Sequence, residues 1–514
     1  MDRRVIIAIG IVVILLVSVS AFLFLREQPQ EVNQELIVNR GSDGVTLDPA
    51  FMGLTADYAV VCNIFNALTR FKQGTMELEP DLAESWDISA DGLVYTFYLK
   101  EGVQWHKNYG EFNAEDVKFS YERIMDPAVG SVHKAQFDSI DKIDVIDDYT
   151  VKITLKTKSA LFLGQVSAFR QGFIVCKRAV EELGEEFGRN PIGTGPFVFD
   201  SWVPQQELVL IANEDYFEGA PKLQKVTFKP IDDESVAFIA LEAGEIDMMT
   251  VSRLETFNKT LENPDLKISQ GPGLGYTTLI LNANQTRNLP FVDQKVRQAL
   301  QHGINRSEIA NRLLGGMVIP ADVHLAPGYF GQTSNVQKYE YNPEKCRQLL
   351  AEAGFTDGFS TTLYFMSTPQ TLEMATLIQA QLKDAGVEVE LNPLETSAYV
   401  QANRAREPPM VILSISARPD PDTILTTLFH SDGYLNIPFY DGIDSLLEEA
   451  RVELNEERRE LLYNQICQKL AIDCPHIPLY YSRANIAMNN KVMNYTVHTF
   501  DSYGPLHNVY IGAS

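Results

Sequence analysis

The stretch KVTFKPIDDESVAFIALEAGEIDMMT, residues 225–250, decides the fold class. It begins with the alternating pattern of a strand, continues as an apolar run at helical spacing that Gly244 ends, and finishes as a second apolar strand. A strand, a helix and a strand in this order form a parallel pair through a right-handed crossover. The stretch therefore predicts an α/β protein.

The same plan returns in the second half of the chain. In QTLEMATLIQAQLKDAGVEVELNPL, residues 370–394, Gly386 is the predicted helix stop before another strand. Between residues 444 and 470 apolar side chains recur at helical spacing, with a break around LNEE. Helices and strands are therefore expected to alternate over most of the chain.

Shorter elements precede these units. Residues 93–105 and 148–157 are typical of strands, and residues 113–125 follow helical periodicity. Asn113, with Asp116 three residues later, predicts a capped start for this helix.

The length of the chain limits the number of domains, and its net charge limits the kinds of partner. With 514 residues the chain is too long for one hydrophobic core, so two or three domains are expected. The net charge is −25 and the isoelectric point is near 4.8. This charge argues against nucleic acid as a partner, because nucleic-acid binding needs clustered lysine and arginine.

The sequence contains no recognisable catalytic motif. Its eight histidines lack metal-site spacing such as H-E-x-x-H, and there is no G-x-S-x-G elbow, P-loop or dinucleotide-binding glycine motif. The glycine-rich GPGLGY, residues 271–276, precedes a predicted strand, whereas a phosphate cradle precedes a helix. We therefore predict no catalytic residue, no metal site and no cofactor.

The first residues predict a membrane anchor. Residues 5–25 carry no charge, and a bilayer-spanning helix needs about 20 apolar residues. Arg3 and Arg4 place the N-terminus inside and the rest of the chain outside the membrane. We predict an uncleaved signal anchor and linker over residues 1–34, and cleavage as a signal peptide is the alternative.

The five cysteines are few for an exported chain, and no two lie at C-x-x-C spacing. Cys467 and Cys474 bracket the end of a helical pattern and are a candidate disulfide pair. The odd total leaves at least one thiol free in a monomer, and buried free thiols are the default interpretation.

The stretch ISARPDPDTIL, residues 415–425, places Arg418 and two aspartates between two apolar runs. The prolines favour extended backbone, which predicts a turn from a strand into a helix that Asp422 caps. Two interpretations of Arg418 stay open. It pairs with Asp420 or Asp422 and shapes the turn, or it contacts a ligand.

Several long blocks together resemble the extracellular solute-binding proteins of peptide/nickel-type ABC importers, the oligopeptide- and dipeptide-binding family. The blocks occur in the family's order over nearly the whole exported part. They are residues 78–106 with 112–127, NPIGTGPF at 190–197, LNANQTRNLPFVDQKVRQALQHGINRSEIA at 281–310, YNPEKCRQLLAEAGFTDGF at 341–359 and ERRELLYNQICQKLAIDCPHIPLYY at 457–481.

The resemblance implies a two-lobed, periplasmic-binding-protein-like α/β fold with an extra subdomain in the first lobe, here preceded by one transmembrane helix. It places the first lobe at residues 35–279 plus 479–514, the extra subdomain at about 75–190 and the second lobe at 280–478. A hinge between the lobes closes on the ligand.

The implied function is the substrate-binding component of an ABC importer and not an enzyme. The expected partners are a peptide or peptide-like ligand, the permease and, through it, the ATPase subunits. We expect the chain to be a monomer at the cell membrane, with its main domain on the extracellular or periplasmic side. A membrane-anchored peptide hydrolase and a sensory binding protein are the rival interpretations.

The resemblance also suggests ligand contacts. Family members that bind dipeptides carry an aspartate at the place of Ala417 and an arginine within the segment that corresponds to residues 364–379, and both are missing here. Nickel binders place a histidine where this chain has Asp422. We therefore expect longer peptides or peptide-like solutes, and an oligosaccharide or a metal chelate is the alternative. The candidate ligand-binding residues are Arg418, Asp420, Asp422, Arg170, Thr55, Tyr58, Tyr276, Asn282 and Phe365.

Overall fold

The computed structural model describes residues 33–416, 418, 420–498 and 503–512. The predicted membrane span at residues 5–25 and the position of Ala417 lie outside the described residues. Within the described ranges, no helix combines the length and the apolar character needed to cross a bilayer.

The strands are β1 (Glu35–Asn39), β2 (Thr69–Phe71), β3 (Leu78–Pro80), β4 (Ala83–Ile88), β5 (Val94–Leu99), β6 (Ile140–Asp147), β7 (Thr150–Leu155), β8 (Phe197–Val203), β9 (Glu207–Ala212), β10 (Lys225–Lys229), β11 (Met248–Thr250), β12 (Leu266–Leu281), β13 (Val318–Pro320), β14 (Phe359–Met366), β15 (Val387–Leu394), β16 (Met410–Ile415), β17 (His476–Asn489), β18 (Val492–Met493) and β19 (Tyr510–Ile511).

The α-helices are α1 (Thr55–Ile64), α2 (Ala114–Met125), α3 (Phe162–Gln165), α4 (Lys177–Leu183), α5 (Glu234–Glu242), α6 (Leu254–Glu262), α7 (Gln294–Gly303), α8 (Pro343–Glu352), α9 (Pro369–Asp384), α10 (Thr396–Arg404), α11 (Pro421–Phe429), α12 (Asp444–Val452) and α13 (Glu456–Asp473).

One large mixed sheet runs through the molecule in the order β15-β14-β16-β12-β17-β11-β1-β10-β9-β8, with β13 beside β17. The stretch that decides the fold class forms β10, α5 and β11, as predicted. Asp233 begins the helix by accepting the N–H groups of Ser235 and Val236, and Gly244 follows it at φ +72°. β10 and β11 are not neighbours, because β1 lies between them and is parallel to both.

The second predicted unit is also confirmed. β14 and β15 pair in parallel, with α9 between them in sequence and Gly386 at φ +90° after that helix. The predicted break near LNEE separates α12 from α13. At the start of α2, Asn113 accepts the N–H of Glu115 and Asp116 accepts the N–H of Asn113, so the predicted capping box is present.

Each end of the large sheet has its own hydrophobic cores. We call the part around β1 and β8 to β11 the first lobe, and the part around β14 to β16 the second lobe. The long strands β12 and β17 belong to both. Ile268 and Ile486 pack in first-lobe cores, whereas Leu279 and Ile477 pack in a second-lobe core. The exact boundaries proposed from the sequence stay predictions.

A separate antiparallel sheet of order β4-β5-β7-β6 packs into the first-lobe core together with α2. It is the extra element that the sequence predicted for this lobe, while its limits at about 75–190 stay a prediction. β5 is shorter than the predicted strand and ends at Leu99, because the chain turns through Gly102 at φ +75°.

Two other predictions need correction. GPGLGY does not precede a strand but lies inside β12. A Cβ at Gly273 would come within 2.2 Å of the Ser482 carbonyl oxygen, so the glycines allow β17 to approach closely. Cys467 and Cys474 do not pair, because all five cysteines are free and buried.

Candidate functional site

The sheet topology creates two strand edges that carry the candidate site. In the first lobe the parallel strands β1, β10 and β11 end at Asn39, Lys229 and Thr250. In the second lobe the parallel strands β14 and β16 end at Met366 and Ile415.

The shared strands show that these edges face each other. β17 runs from the second lobe to the first and is antiparallel to β11, with Thr250 opposite Ile486. β12 runs the other way and is antiparallel to β16, with Ile415 opposite Tyr276. Both sets of carboxyl ends therefore point to the middle of β12 and β17. Open α/β sheets bind ligands outside the carboxyl ends of their strands, so the space between these edges is the candidate cleft.

The first-lobe edge contains a cavity of about 160 Å³ next to Thr55, at the start of α1. Tyr503 shapes its wall by donating a hydrogen bond to the Asn39 carbonyl oxygen and accepting the N–H of Thr250 at 2.9 Å. Its lining residues are Asn39, Arg40, Gly41, Thr55, Ala59, Ile231, Asp232, Glu234, Thr250, Ser252 and Tyr503.

A second, smaller cavity of about 30 Å³ brings together Thr55, Tyr58 and Arg170, three of the predicted site residues. The Tyr58 hydroxyl donates to the Ala168 carbonyl oxygen at 3.2 Å, and its ring meets Phe169 edge-on at 5.4 Å. The Arg170 guanidinium lies 5.3 Å from the centre of the Phe169 ring. Thr55 therefore lines both first-lobe cavities.

The predicted turn joins β16 to α11 at the second-lobe edge, but its helix cap differs from the prediction. Asp420, and not Asp422, accepts the first free N–H of α11, at 2.9 Å from the nitrogen of Asp422, and Pro421 is the first helical residue. This arrangement follows from the fixed φ of proline, which suits the first helical position.

The structure gives both aspartates arginine partners from the following helices. Asp420 accepts from Arg459 at 2.7 Å, and Asp422 forms an ion pair with Arg451 at 3.2 Å. Burial raises the pKa of Asp422, and the Arg451 guanidinium opposes that rise. The half-buried Arg418 donates its backbone N–H to the Tyr329 hydroxyl at 3.1 Å.

The three remaining candidates are buried, and Tyr276 and Phe365 belong to second-lobe cores. Tyr276 is 2% exposed and Phe365 is 0% exposed. The Asn282 side chain donates to the carbonyl oxygens of Arg406 and Pro408 at 3.0 Å and accepts the N–H of Asn284. The structure does not bring these three side chains together with the first-lobe candidates.

Sequence reasoning missed Tyr329, Arg451 and Arg459. Arg451 and Arg459 lie in a region whose sequence predicts helices and nothing more. Nothing in the spacing links Arg459 to Asp420, which lies 39 positions earlier. Only the packing of α12 and α13 beside the turn identifies the two arginines.

Comparison with known proteins adds the family. The model of the family described as "Bacterial extracellular solute-binding proteins, family 5 Middle" matches residues 77–436. Heme-binding protein A of Haemophilus influenzae is 31% identical over 467 residues, which cover 85% of each chain. Further relatives are named as di/tripeptide-, dipeptide- and glutathione-binding proteins.

Solved structures give the same fold. The DppA protein of Helicobacter pylori in complex with the peptide STSA is 32% identical, with 93% of this chain and 98% of that chain covered and a TM-score of 0.73. The unliganded open form of the murein tripeptide-binding protein MppA is 25% identical, with 93% and 97% covered and a TM-score of 0.84. The facing strand edges, the extra sheet and these matches agree, and the chain belongs to the family 5 bacterial extracellular solute-binding proteins.

Proposed function

We propose that this chain captures a peptide or peptide-like solute outside the membrane by closing its two lobes and then delivers the solute to a permease. The observation that carries the proposal is the pair of strand edges that face each other across β12 and β17. A ligand that touches both edges favours the closed arrangement by its differential affinity for that state.

Family membership establishes the broader class. The chain is the substrate-binding protein of an ABC importer and not an enzyme, so the rival hydrolase interpretation has no support. The related proteins carry names that mention peptides, glutathione and heme, and one solved relative holds a nickel–histidine complex. A non-peptide solute, such as an oligosaccharide or a metal chelate, is therefore the second candidate.

The similarity scores support an open starting state. The TM-score is higher for the unliganded open form, at 0.84, than for the peptide complex, at 0.73, although the peptide-bound protein is the more identical of the two. Other ligand complexes give TM-scores of 0.72 and 0.70. Sequence identity does not explain this order, and we infer that the lobes of this chain are arranged as in the open form.

Two arginines support a peptide-like ligand that carries a carboxylate. Arg418 at the second-lobe edge and Arg170 beside the first-lobe cavities are the arginines that we assign to the ligand, each suited to a carboxylate. Thr55 and Tyr58 line the same first-lobe surface. Longer peptides suit this site because their backbone hydrogen bonds replace a paired terminal ammonium group.

Residues 1–34 complete the proposal as a tether. An uncleaved anchor holds the binding protein near the permease and raises its effective concentration there. In this proposal the chain contacts the permease and not the ATPase subunits, because the permease links the two.

The test is a calorimetric screen of di-, tri- and longer peptides, oligosaccharides and nickel chelates. We expect peptides of three or more residues to bind. Arg418→Ala should lower their affinity about tenfold or more, which is the usual cost of losing a hydrogen bond to a charged group. Arg312→Ala is the control, because Arg312 is an exposed second-lobe residue paired with Glu308. Tight dipeptide binding that Arg418→Ala leaves unchanged would contradict the proposal.

A further inference from the structure

Helix α5 carries apolar side chains on its outer face as well as on the face that it buries. Phe238 and Leu241 pack in a first-lobe core, whereas Val236 and Ile239 are 55% and 65% exposed. Residues three apart lie on the same side of a helix, so Val236 and Ile239 form one exposed apolar patch. A helix that is apolar all round is normally buried, and an exposed apolar patch marks a contact surface.

This patch borders a groove between α5 and α6. The groove has a volume of about 580 Å³, against about 160 Å³ for the larger of the two first-lobe cavities at the cleft. Phe238 and Ile239 of α5, and Pro264, which follows α6, form its apolar lining. None of the candidate ligand-binding residues lines the groove, so it is separate from the candidate cleft.

The charged side chains that line the groove are mostly acidic. They are Glu242, Glu255, Lys259 and Glu262. Lys259 pairs with Glu255 at 2.7 Å, so three carboxylates against one ammonium group leave an excess of two negative charges. Acidic residues are common in a chain of net charge −25. The apolar patch therefore locates the contact surface, and the charge selects a partner with basic residues.

The groove runs from the cleft edge of the first lobe to the opposite end of its sheet. α5 follows β10 and α6 follows β11, so both helices begin near the carboxyl ends of these strands and lead back along the sheet. β1 starts at that opposite end, where Glu35 pairs with Lys225, the first residue of β10. The nine residues 26–34 before β1 can span at most about 30 Å. The proposed anchor would therefore keep this end of the groove close to the membrane that contains the permease.

We infer that the groove between α5 and α6 is the first-lobe surface that contacts the permease. Its occupant is an extracellular or periplasmic loop or helix that carries apolar side chains beside lysine or arginine. The apolar lining covers the apolar side chains, and Glu242 and Glu262 attract the basic ones. An anionic membrane surface is repelled by the same acidic residues. The inference rests on the proposed function and deepens it by naming the surface that meets the partner.

The test measures how strongly the chain couples to the transporter. The full-length chain is reconstituted in liposomes with the permease–ATPase complex of its own importer, and a tryptic digest of casein supplies peptides. ATP hydrolysis is followed as the amount of binding protein rises. Ile239→Asp places a charge in the apolar lining, and Glu242→Lys together with Glu262→Lys reverses the excess charge. We expect each variant to raise the amount needed for half-maximal stimulation about tenfold or more.

Matched controls come from the extra antiparallel sheet. Ile146→Asp makes the same exchange at an isoleucine that is 53% exposed in β6. Glu84→Lys together with Glu101→Lys makes the same charge reversal at two exposed glutamates. We expect both controls to stimulate ATP hydrolysis like the unsubstituted chain. Thermal denaturation checks that every variant is folded.

Salt gives a second readout. For the unsubstituted chain the half-maximal amount should rise with sodium chloride concentration, and the reversal of Glu242 and Glu262 should flatten this dependence. Stimulation that neither Ile239→Asp nor this reversal changes overturns the inference and retains the proposed function. No stimulation by the unsubstituted chain contradicts both. A dimer, seen by sedimentation in detergent and lost in Ile239→Asp, assigns the groove to a second copy and overturns the inference.

Discussion

His106 joins two stretches that lie far apart in the sequence. The N–H of Gly193 points to Nδ1 at 3.4 Å, and Nε2 lies 2.9 Å from the Gly195 carbonyl oxygen. A backbone N–H only donates, so Nδ1 accepts and the proton of the neutral ring is on Nε2. Burial lowers the pKa of His106 to about 4, and the hydrogen bond to Gly195 opposes this shift.

The first prediction is a loss of stability in mild acid. The unfolded chain binds a proton at His106 below about pH 6.5, whereas the folded chain does so only below about pH 4. The free energy of unfolding therefore falls between these pH values, by about 2 to 4 kcal/mol from this residue alone. Urea denaturation at pH 7, 6, 5 and 4 measures it.

His106→Gln is the comparison, because glutamine does not titrate. We expect this variant to be less stable at pH 7 but to lose less stability on acidification than the unsubstituted protein. Parallel pH profiles for the two proteins would assign the acid sensitivity to other groups, such as His324, whose pKa burial lowers to about 3.

At the scale of elements, the NPIGTGPF stretch acts as a contact surface for the end of α1. A Cβ at Gly193 would lie 1.9 Å from the Ile64 carbonyl oxygen, and a Cβ at Gly195 would lie 2.7 Å from that of Asn63. Backbone that packs directly on backbone leaves no room for a side chain. The two glycines are therefore required by packing against the end of α1, and neither has a positive φ.

Gly193→Ala is predicted to lower the free energy of unfolding by about 3 kcal/mol, because the new methyl group meets backbone that cannot rotate away. Thermal and urea denaturation measure the loss. Gly164→Ala is the matched control, since its nearest contact would be Phe71 at 4.0 Å, and we expect it to stay close to the unsubstituted protein. Similar losses for both variants would refute the steric explanation.

At the scale of the whole molecule, closure depends on β12 and β17, which pass through both lobes. Their pairing has a register shift between Pro272 and Tyr276, at the point where the cores of the two lobes meet. Few ladder contacts have to change if the lobes rotate about this irregular segment. The open state proposed above is therefore one end of a motion that the strand pairing permits.

We predict that a saturating peptide ligand compacts the exported part and stabilises it. Small-angle scattering should show a smaller radius of gyration, and the stabilisation should be about 2.7 kcal/mol at a ligand concentration one hundred times Kd. Arg418→Ala should need more ligand for the same compaction, because it weakens the contact at the second-lobe edge. Binding by calorimetry with an unchanged scattering profile would exclude lobe closure.

The amino-acid sequence by itself determined the main helix and strand units and the family of this protein. Helical spacing, strand alternation and the capping residues are local, so α2, α5 and α9 and their stops were predictable. The order of the quoted blocks was enough for the family, since it is a property of the chain alone.

Only the tertiary structure decided which residues that are distant in sequence come into contact. The insertion of β1 between β10 and β11, the contact of His106 with Gly193, and the pairing of Arg459 with Asp420 all join residues that are distant in sequence. Such contacts depend on how whole elements pack, and local spacing carries no record of that packing.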